Sequence, residues 1–467
     1  MKSNYKLPLG FLVLFSASSF LLAEDWAGFR GSDRSGHSKE TKLLATWPKD
    51  GPKQAWIFKD CGTGYSSPAI VQNNIYIMGA RKGEELLLKI DATGKELWNA
   101  KIGPVFDFSG NTFSGGPNGS PTVDDNLVFA LGSQGTLICS DAKTGQIVWK
   151  KDLPKDLSAE VNPVGGGPEK FGWGYSWSPI VDGEKLIIVP GGSLGLLAAL
   201  NKKTGAPLWR SSDVKLQAPY ASPTLATIDG QKTIVQITQK GCVGVNPEDG
   251  KLLWEYKRES EYHDVVCTSP VISGNLIATS VGFGDGMDCF KIEKSGASFQ
   301  AKQVYSKKEI ANDNGGIVLV GKHVYGFHLK RAWECIDLET GAVAWTSSRK
   351  AVGAGSVIAA DGRLYVLAED SGEVAMLAAS PEGYKEISKF KIPELSSLKK
   401  SRGRLWAHPA ISDGKLFIRD QELLYCFEIR SSRLFLLVSK PFERTSFVNR
   451  CVFDFLGIGS TSECFLS

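Results

Sequence analysis

The stretch Cys335-Ile336-Asp337-Leu338-Glu339-Thr340-Gly341-Ala342-Val343-Ala344-Trp345 decides the fold. Alternating apolar residues flank an Asp-x-x-Thr-Gly turn, and a Trp follows the Gly by four positions, so the segment reads as two strands joined by a tight turn. The Asp side chain can accept the N–H groups of the turn, and the Gly can take the positive φ the turn requires. Upstream, Ile317–Gly321 and His323–Leu329 read as two further strands, parted by the turn at Gly321-Lys322. The unit therefore predicts four antiparallel strands.

The same signature recurs, ending at Trp98, Trp149, Trp209 and Trp254. A decayed copy ends at Phe299, and weaker ones lie near Gly383 and Ile429. Before each copy stands a small residue and a strand start, as Ser67-Pro68, Ser120-Pro121, Ser178-Pro179, Ser222-Pro223, Ser269-Pro270, and in divergent form Gly316-Ile317, Ser356-Val357 and His408-Pro409. A period of roughly 50 residues marks a repeat architecture. Eight such units predict an all-β, eight-bladed β-propeller of four-stranded blades. The last unit lacks its outer strand, and Gln54–Phe58 offers a spare one, so an N-terminal strand is expected to close the ring and leave no open edge. Trp98, Trp149, Trp209, Trp254 and Trp345 are expected to fill the space between blades, each indole N–H finding a backbone carbonyl.

Composition agrees. The 467 residues include 51 Gly and 12 Trp but only 4 Met, which favours short strands and turns over helices. Apolar content is sufficient for a core, so disorder is excluded. The net charge of +4 is spread along the chain without a Lys/Arg block, which argues against nucleic acid as a partner. No His-Glu-x-x-His, phosphate loop or Cys-x-x-Cys is present, which removes the metalloprotease and nucleotide readings.

Lys2 and Lys6 precede the apolar run Leu9–Leu22, the layout of a signal peptide over residues 1–23; cleavage after Ser19 is the alternative. The chain then reads as exported, to the periplasm or beyond, and not membrane-spanning once mature. Residues 24–430 form the propeller. Residues 431–467 carry no repeat mark, and read as an appended segment or an out-of-frame translation. Cys139, Cys289, Cys335 and Cys426 occupy small-residue strand positions and are expected to be buried packing thiols. Cys61, Cys242 and Cys267 are left open between thiol and disulfide.

The Asp-x-x-Thr-Gly-x-x-x-Trp units resemble the pyrroloquinoline-quinone (PQQ)-repeat propellers of the quinoprotein alcohol dehydrogenase-like superfamily. The opening Asp25-Trp26-x-x-Phe29-Arg30-Gly31, with Gly36 following, is similar to that of secreted bacterial members. That superfamily contains dehydrogenases and also non-enzymatic members, such as the lipoprotein of the outer-membrane β-barrel assembly machinery. The resemblance fixes the fold and leaves activity open.

Propeller geometry gathers the residues just before each Ser-Pro at one mouth of the channel. Those positions supply Tyr65, Asn118, Tyr175, Trp177, Tyr220, His263, Asn312, Asn314, Trp406 and His408, and the turn between second and third strands adds Arg331. This ring of aromatic and polar residues is the expected ligand-binding site. Three long loops, 104–118, 154–177 and 393–407, point to the same face. A quinoprotein enzyme, by the resemblance, would need Ca²⁺ held by a carboxylate and an amide, an Asp base, and often a disulfide between adjacent cysteines. No two cysteines here are adjacent. Asp264 and Asp313 are the catalytic candidates, with Asn312 and Asn314 as amides. The sequence thus favours a non-catalytic, monomeric binding or scaffold protein with no firm cofactor, its mouth taking a small molecule, glycan or protein. A PQQ/Ca²⁺-dependent alcohol or sugar dehydrogenase and an outer-membrane assembly scaffold are the alternatives.

Overall fold

The computed structural model describes residues 25–167, 171–258, 266–282, 285–328 and 332–431. Within these, eight four-stranded antiparallel sheets follow one another in chain order. Blades 1 to 4 run from Ala69–Val71 to Glu96–Pro104, from Thr122–Asp124 to Ile147–Asp152, from Ile180–Asp182 to Pro207–Arg210, and from Thr224–Ile228 to Leu252–Lys257. Blades 5 to 7 run from Val271–Ser273 to Ser298–Lys307, from Ile317–Val320 to Val343–Thr346, and from Gly355–Ala360 to Glu386–Lys391. Blade 8 takes three strands from Ala410–Ser412 to Leu423–Glu428 and its outer strand from Gln54–Phe58. Trp56 lies opposite Cys426 and Ile57 opposite Tyr425, so the ring closes by joining the two ends of the propeller. The predicted signal peptide, and the segment from residue 432 onward, lie outside the described residues.

The structure explains why Thr-Gly and Trp travel together. Four outer-strand Trp residues pack on the turn Gly of the next blade: Trp56 on Gly94, Trp98 on Gly145, Trp149 on Gly205 and Trp209 on Gly250. At Gly205, φ is +71°, and a Cβ would lie 2.9 Å from the Trp149 ring. The turn therefore needs Gly twice over, once for its backbone and once for its neighbour. Trp149, Trp209 and Trp345 also donate their indole N–H to Lys202 O (2.9 Å), Pro247 O (3.1 Å) and Ser380 O (2.8 Å) of the following blade. Trp98 and Trp254 make no such bond. Trp254 packs edge-on against Phe290 instead, at 5.9 Å, and sits over Gly244, where a Cβ would overlap the indole. That explains the Gly at a position held elsewhere by Cys139, Cys335 and Ala199.

The turns are capped as their chemistry predicts. Asp141 Oδ1 accepts from Thr144 N (2.7 Å) and Thr144 Oγ1 (2.8 Å), and Asp337 holds Thr340 in the same way. All seven described cysteines are thiols; six are buried, and Cys267 is half-buried.

Residues 25–38 do something the repeat does not foretell. They enter the channel and bond to inner strands on both sides of it. Trp26 exchanges two hydrogen bonds with Ile70 of blade 1 (2.8 Å each), and Ala27 O accepts from Val123 N of blade 2 (2.8 Å). Arg34 Nη2 donates to Pro179 O beside blade 3, and Arg30 Nη2 donates to Ile317 O of blade 6 (2.5 Å). His37–Ser38 then pairs in parallel with Gly355–Ala360 of blade 7. Both guanidiniums are buried. Burial lowers Arg30 to about 10 and Arg34 to about 9, which leaves both charged at neutral pH. The channel is therefore plugged by a charged, hydrogen-bonded segment.

Candidate functional site

Above the plug, the mouth of the channel opens into a cavity of about 640 Å³. Its floor is laid by the starts of the inner strands. Ser67 N donates to Ser120 Oγ, Ser120 N to Ser178 Oγ and Ser178 N to Ser222 Oγ, each at 2.9 Å. His408 N donates to Ser67 Oγ at 2.7 Å. The Ser of four Ser-Pro marks, Ser67, Ser120, Ser178 and Ser222, is thus a stitch between neighbouring blades. Ser67, Ser178 and Ser222 also face the cavity, with Phe29 of the plug beside them.

The walls come from the three long loops. Phe113 stands between Trp173 (ring centroids 5.2 Å apart) and Trp406 (5.5 Å), and Tyr65 meets Trp406 at 5.2 Å. These rings are fixed by hydrogen bonds. Ser114 N donates to Tyr65 Oη (3.0 Å), Trp173 N donates to Tyr220 Oη (3.1 Å), and Asn118 Nδ2 donates to Trp173 O (3.0 Å). Trp406 Nε1 donates to Glu369 Oε2 (2.7 Å), and Arg402 N to Thr112 O (3.0 Å) couples the first loop to the third. Glu85 anchors the first loop from below. It is buried, accepts from Ser133 N (2.9 Å) and Phe106 N (3.3 Å), and burial raises its carboxyl to about 7.

Of the expected site residues, Tyr65, Asn118, Tyr220, Asn314, Trp406 and His408 border the cavity, as does Asp313. Tyr175 and Trp177 do not; they are buried in the core of blades 2 and 3. The cause is strand parity: Ser176 and Ser178 face the cavity, so their odd-numbered neighbours face between blades. Trp173 reaches the cavity because Gly174, at φ +77°, breaks that alternation. Asn312 is also turned away. It clamps backbone, its Nδ2 donating to Phe327 O (3.2 Å) and its Oδ1 accepting from Gly316 N (2.7 Å). His263, Asp264 and Arg331 lie outside the described residues. Phe29, Phe106, Phe113, Cys267 and Arg402 border the cavity without having been singled out, while Arg404 stands in the segment Arg404–His408 that leads into the last blade. The length of the three loops was the signal for Phe106, Phe113 and Arg402; nothing in the repeat pointed to Phe29 or Cys267.

His408 is not an acid–base group at neutral pH. Its Nε2 donates to Asn314 O (3.0 Å), its ring meets Phe29 edge-on at 5.2 Å, and burial together with Arg30 lowers it to about 3. For Ca²⁺, which takes six to eight oxygens, the described residues bring one carboxylate, Asp313, and three amides, Asn111, Asn118 and Asn314, to the cavity; Asn111 Oδ1 already accepts from Phe113 N (3.0 Å) and Asn118 Nδ2 donates to Trp173 O (3.0 Å). Asn314 Oδ1 lies 3.2 Å from Cys267 Sγ, and Asp313 packs so closely on Gly282 that a Cβ there would overlap its carboxylate. Among the described residues, no three His, Cys, Asp or Glu side chains gather as a metal site. The donor set of the described residues does not fit a Ca²⁺–quinone centre.

Comparison with known proteins agrees with the fold. The family described as outer membrane protein assembly factor BamB matches residues 83–347, more than half of the chain. BamB of Burkholderia pseudomallei is 28% identical over 242 residues, covering 42% of this chain and 56% of that protein. The quinoprotein alcohol dehydrogenase PedH of Pseudomonas putida is 28% identical over 194 residues, covering 40% of this chain and 29% of PedH. The chain thus spans about half or less of the length of these two relatives. The crystal structure of BamB from Moraxella catarrhalis superposes with a TM-score of 0.55 at 14% identity, over 81% of this chain and 100% of that one, a likeness of fold. With eight blades, a Thr-Gly turn that seats the Trp of the preceding blade, and a matching family profile, the chain belongs to the BamB-type family of PQQ-repeat β-propellers.

Proposed function

We propose that the protein is an exported, non-catalytic binding propeller that captures a small molecule or glycan in the cavity at its mouth. The observation that carries this reading is the cavity itself: aromatic walls held by hydrogen bonds, closed below by residues 25–38, and of a volume ordinary for ligand pockets. Relatives named as outer membrane assembly factors support export. Among the described residues, no helix is long and apolar enough to cross a membrane. A ligand that binds the native state raises its melting temperature. Melting scans with neutral and acidic disaccharides, and with PQQ with and without Ca²⁺, test the reading. A rise with a saccharide that Trp406→Ala abolishes is expected. A Ca²⁺-dependent rise with PQQ alone would replace it with the dehydrogenase reading.

A second reading, a protein scaffold, is favoured by one feature. The outer strands expose aliphatic residues beside their tryptophans, at Leu97, Val148 and Leu208. A partner strand could pair along this rim. Exchange of these three for Glu would then abolish a protein complex and leave saccharide binding intact.

A further inference from the structure

Resting on the binding reading, we infer that the cavity selects an acidic saccharide, one whose rings carry carboxylate or sulfate. Three observations converge. The first is aromatic: Phe113, Trp173 and Trp406 present neighbouring ring faces and edges of the kind that stack on pyranose C–H surfaces.

The second is the imbalance of donors over acceptors. Ser67, Ser178 and Ser222 are almost fully buried and face the cavity. Each oxygen already accepts a backbone N–H, which leaves its own O–H to be given to a ligand. Asp313 is the one carboxylate among the described lining residues, and it suits a sugar hydroxyl. A polyhydroxylated ligand uses both kinds of group.

The third is charge. Arg402 lies over the Phe113 ring at 4.8 Å, and among the described residues no carboxylate pairs with it. Arg404 joins it at the rim, bound on one side to Asp370 (2.6 Å). Beneath the floor, the buried Arg30 and Arg34 donate to carbonyls, and their charge is not cancelled by a bonded carboxylate. His408, held neutral, adds nothing. Asp370 offsets Arg404, so Arg402, Arg30 and Arg34 stand against Asp313 and the Glu369 bonded to Trp406; the balance among these groups is positive, and a half-enclosed site strengthens its field.

Titration calorimetry with digalacturonate and with its neutral counterpart, digalactose, tests the inference. The expected result is at least tenfold tighter binding of digalacturonate, weakening as salt rises. Arg402→Gln with Arg404→Gln should bring the two sugars within about threefold of each other, and Trp406→Ala should abolish both. Equal affinity for the two sugars in the unaltered protein would overturn the acidic selection and leave the binding reading standing. A preference that survives the double Arg variant would also overturn it. Binding of neither sugar would overturn inference and binding reading together.

Discussion

The two faces of the propeller obey different rules. On the face of the Thr-Gly turns, one contact is repeated at four successive blade junctions: an Asp- or Asn-capped turn, a Gly, and the Trp of the blade before. On the mouth face, beyond the inner-strand Ser, the lining Tyr, Trp and Asn recur in no more than two blades each, and at no regular interval. Repetition builds the ring, and departure from it builds the cavity. A substitution on the turn face should thus cost stability and leave binding alone, whereas one at the mouth should do the reverse.

The largest effect should come from Trp149→Ala, which opens a void between blades 2 and 3 and frees Lys202 O; a loss of about 3 kcal/mol is expected by urea unfolding. Gly205→Ala should cost about 2 kcal/mol, from the positive φ and from overlap with the same ring. Because the two touch, their costs should not add: in the Trp149→Ala background, Gly205→Ala should retain only about 1 kcal/mol, the backbone part. Strict additivity would show that the Gly serves its turn alone.

Next comes a contrast in pH. Glu85 has its folded pKa raised from 4.5 to about 7, so its contribution is fully present below pH 4.5 and is lost as pH rises through 7. His408 is lowered from 6.5 to about 3, so its contribution is present above pH 6.5 and is lost as pH falls towards 3. Between pH 4.5 and 6.5 the two slopes oppose, each about 1.4 kcal/mol per pH unit at most. Relative to the unaltered protein, Glu85→Gln should make stability rise more steeply with pH across this window, and His408→Gln should make it fall. Identical profiles for both variants would refute the opposed environments.

The smallest effects should separate the faces most clearly. Trp406→Ala removes a half-buried wall and should cost about 1 to 2 kcal/mol while abolishing ligand binding. Thr340→Val removes one exposed turn bond to Asp337, for about 0.5 kcal/mol, and should leave binding unchanged. Loss of binding in Thr340→Val would mean that the two faces are coupled.

The same division governed what could be read before any coordinates. The blades and the closing strand were legible because their chemistry recurs, and eight noisy copies expose one rule. The mouth was legible only as a place. Tyr175 and Trp177 lie in the right segment, yet one step of strand parity turns them inward, and the glycine that lets Trp173 out acts through φ, not through a pattern. Asn312 carries the right amide, already spent on backbone. Residues 25–38 occur once, so no period betrays them; their Arg30 and Arg34 find partners among carbonyls, which every residue owns.

The plugged channel has a consequence for traffic. A propeller with an open bore lets solutes pass from face to face, and two guests can occupy its ends at once. Here residues 25–38 make a blind well. Whatever enters must leave by the same door, so the three loops around that door set arrival and departure alike. Two guests that both reach the floor at Phe29 exclude one another outright, and the one already seated must go before the next can arrive.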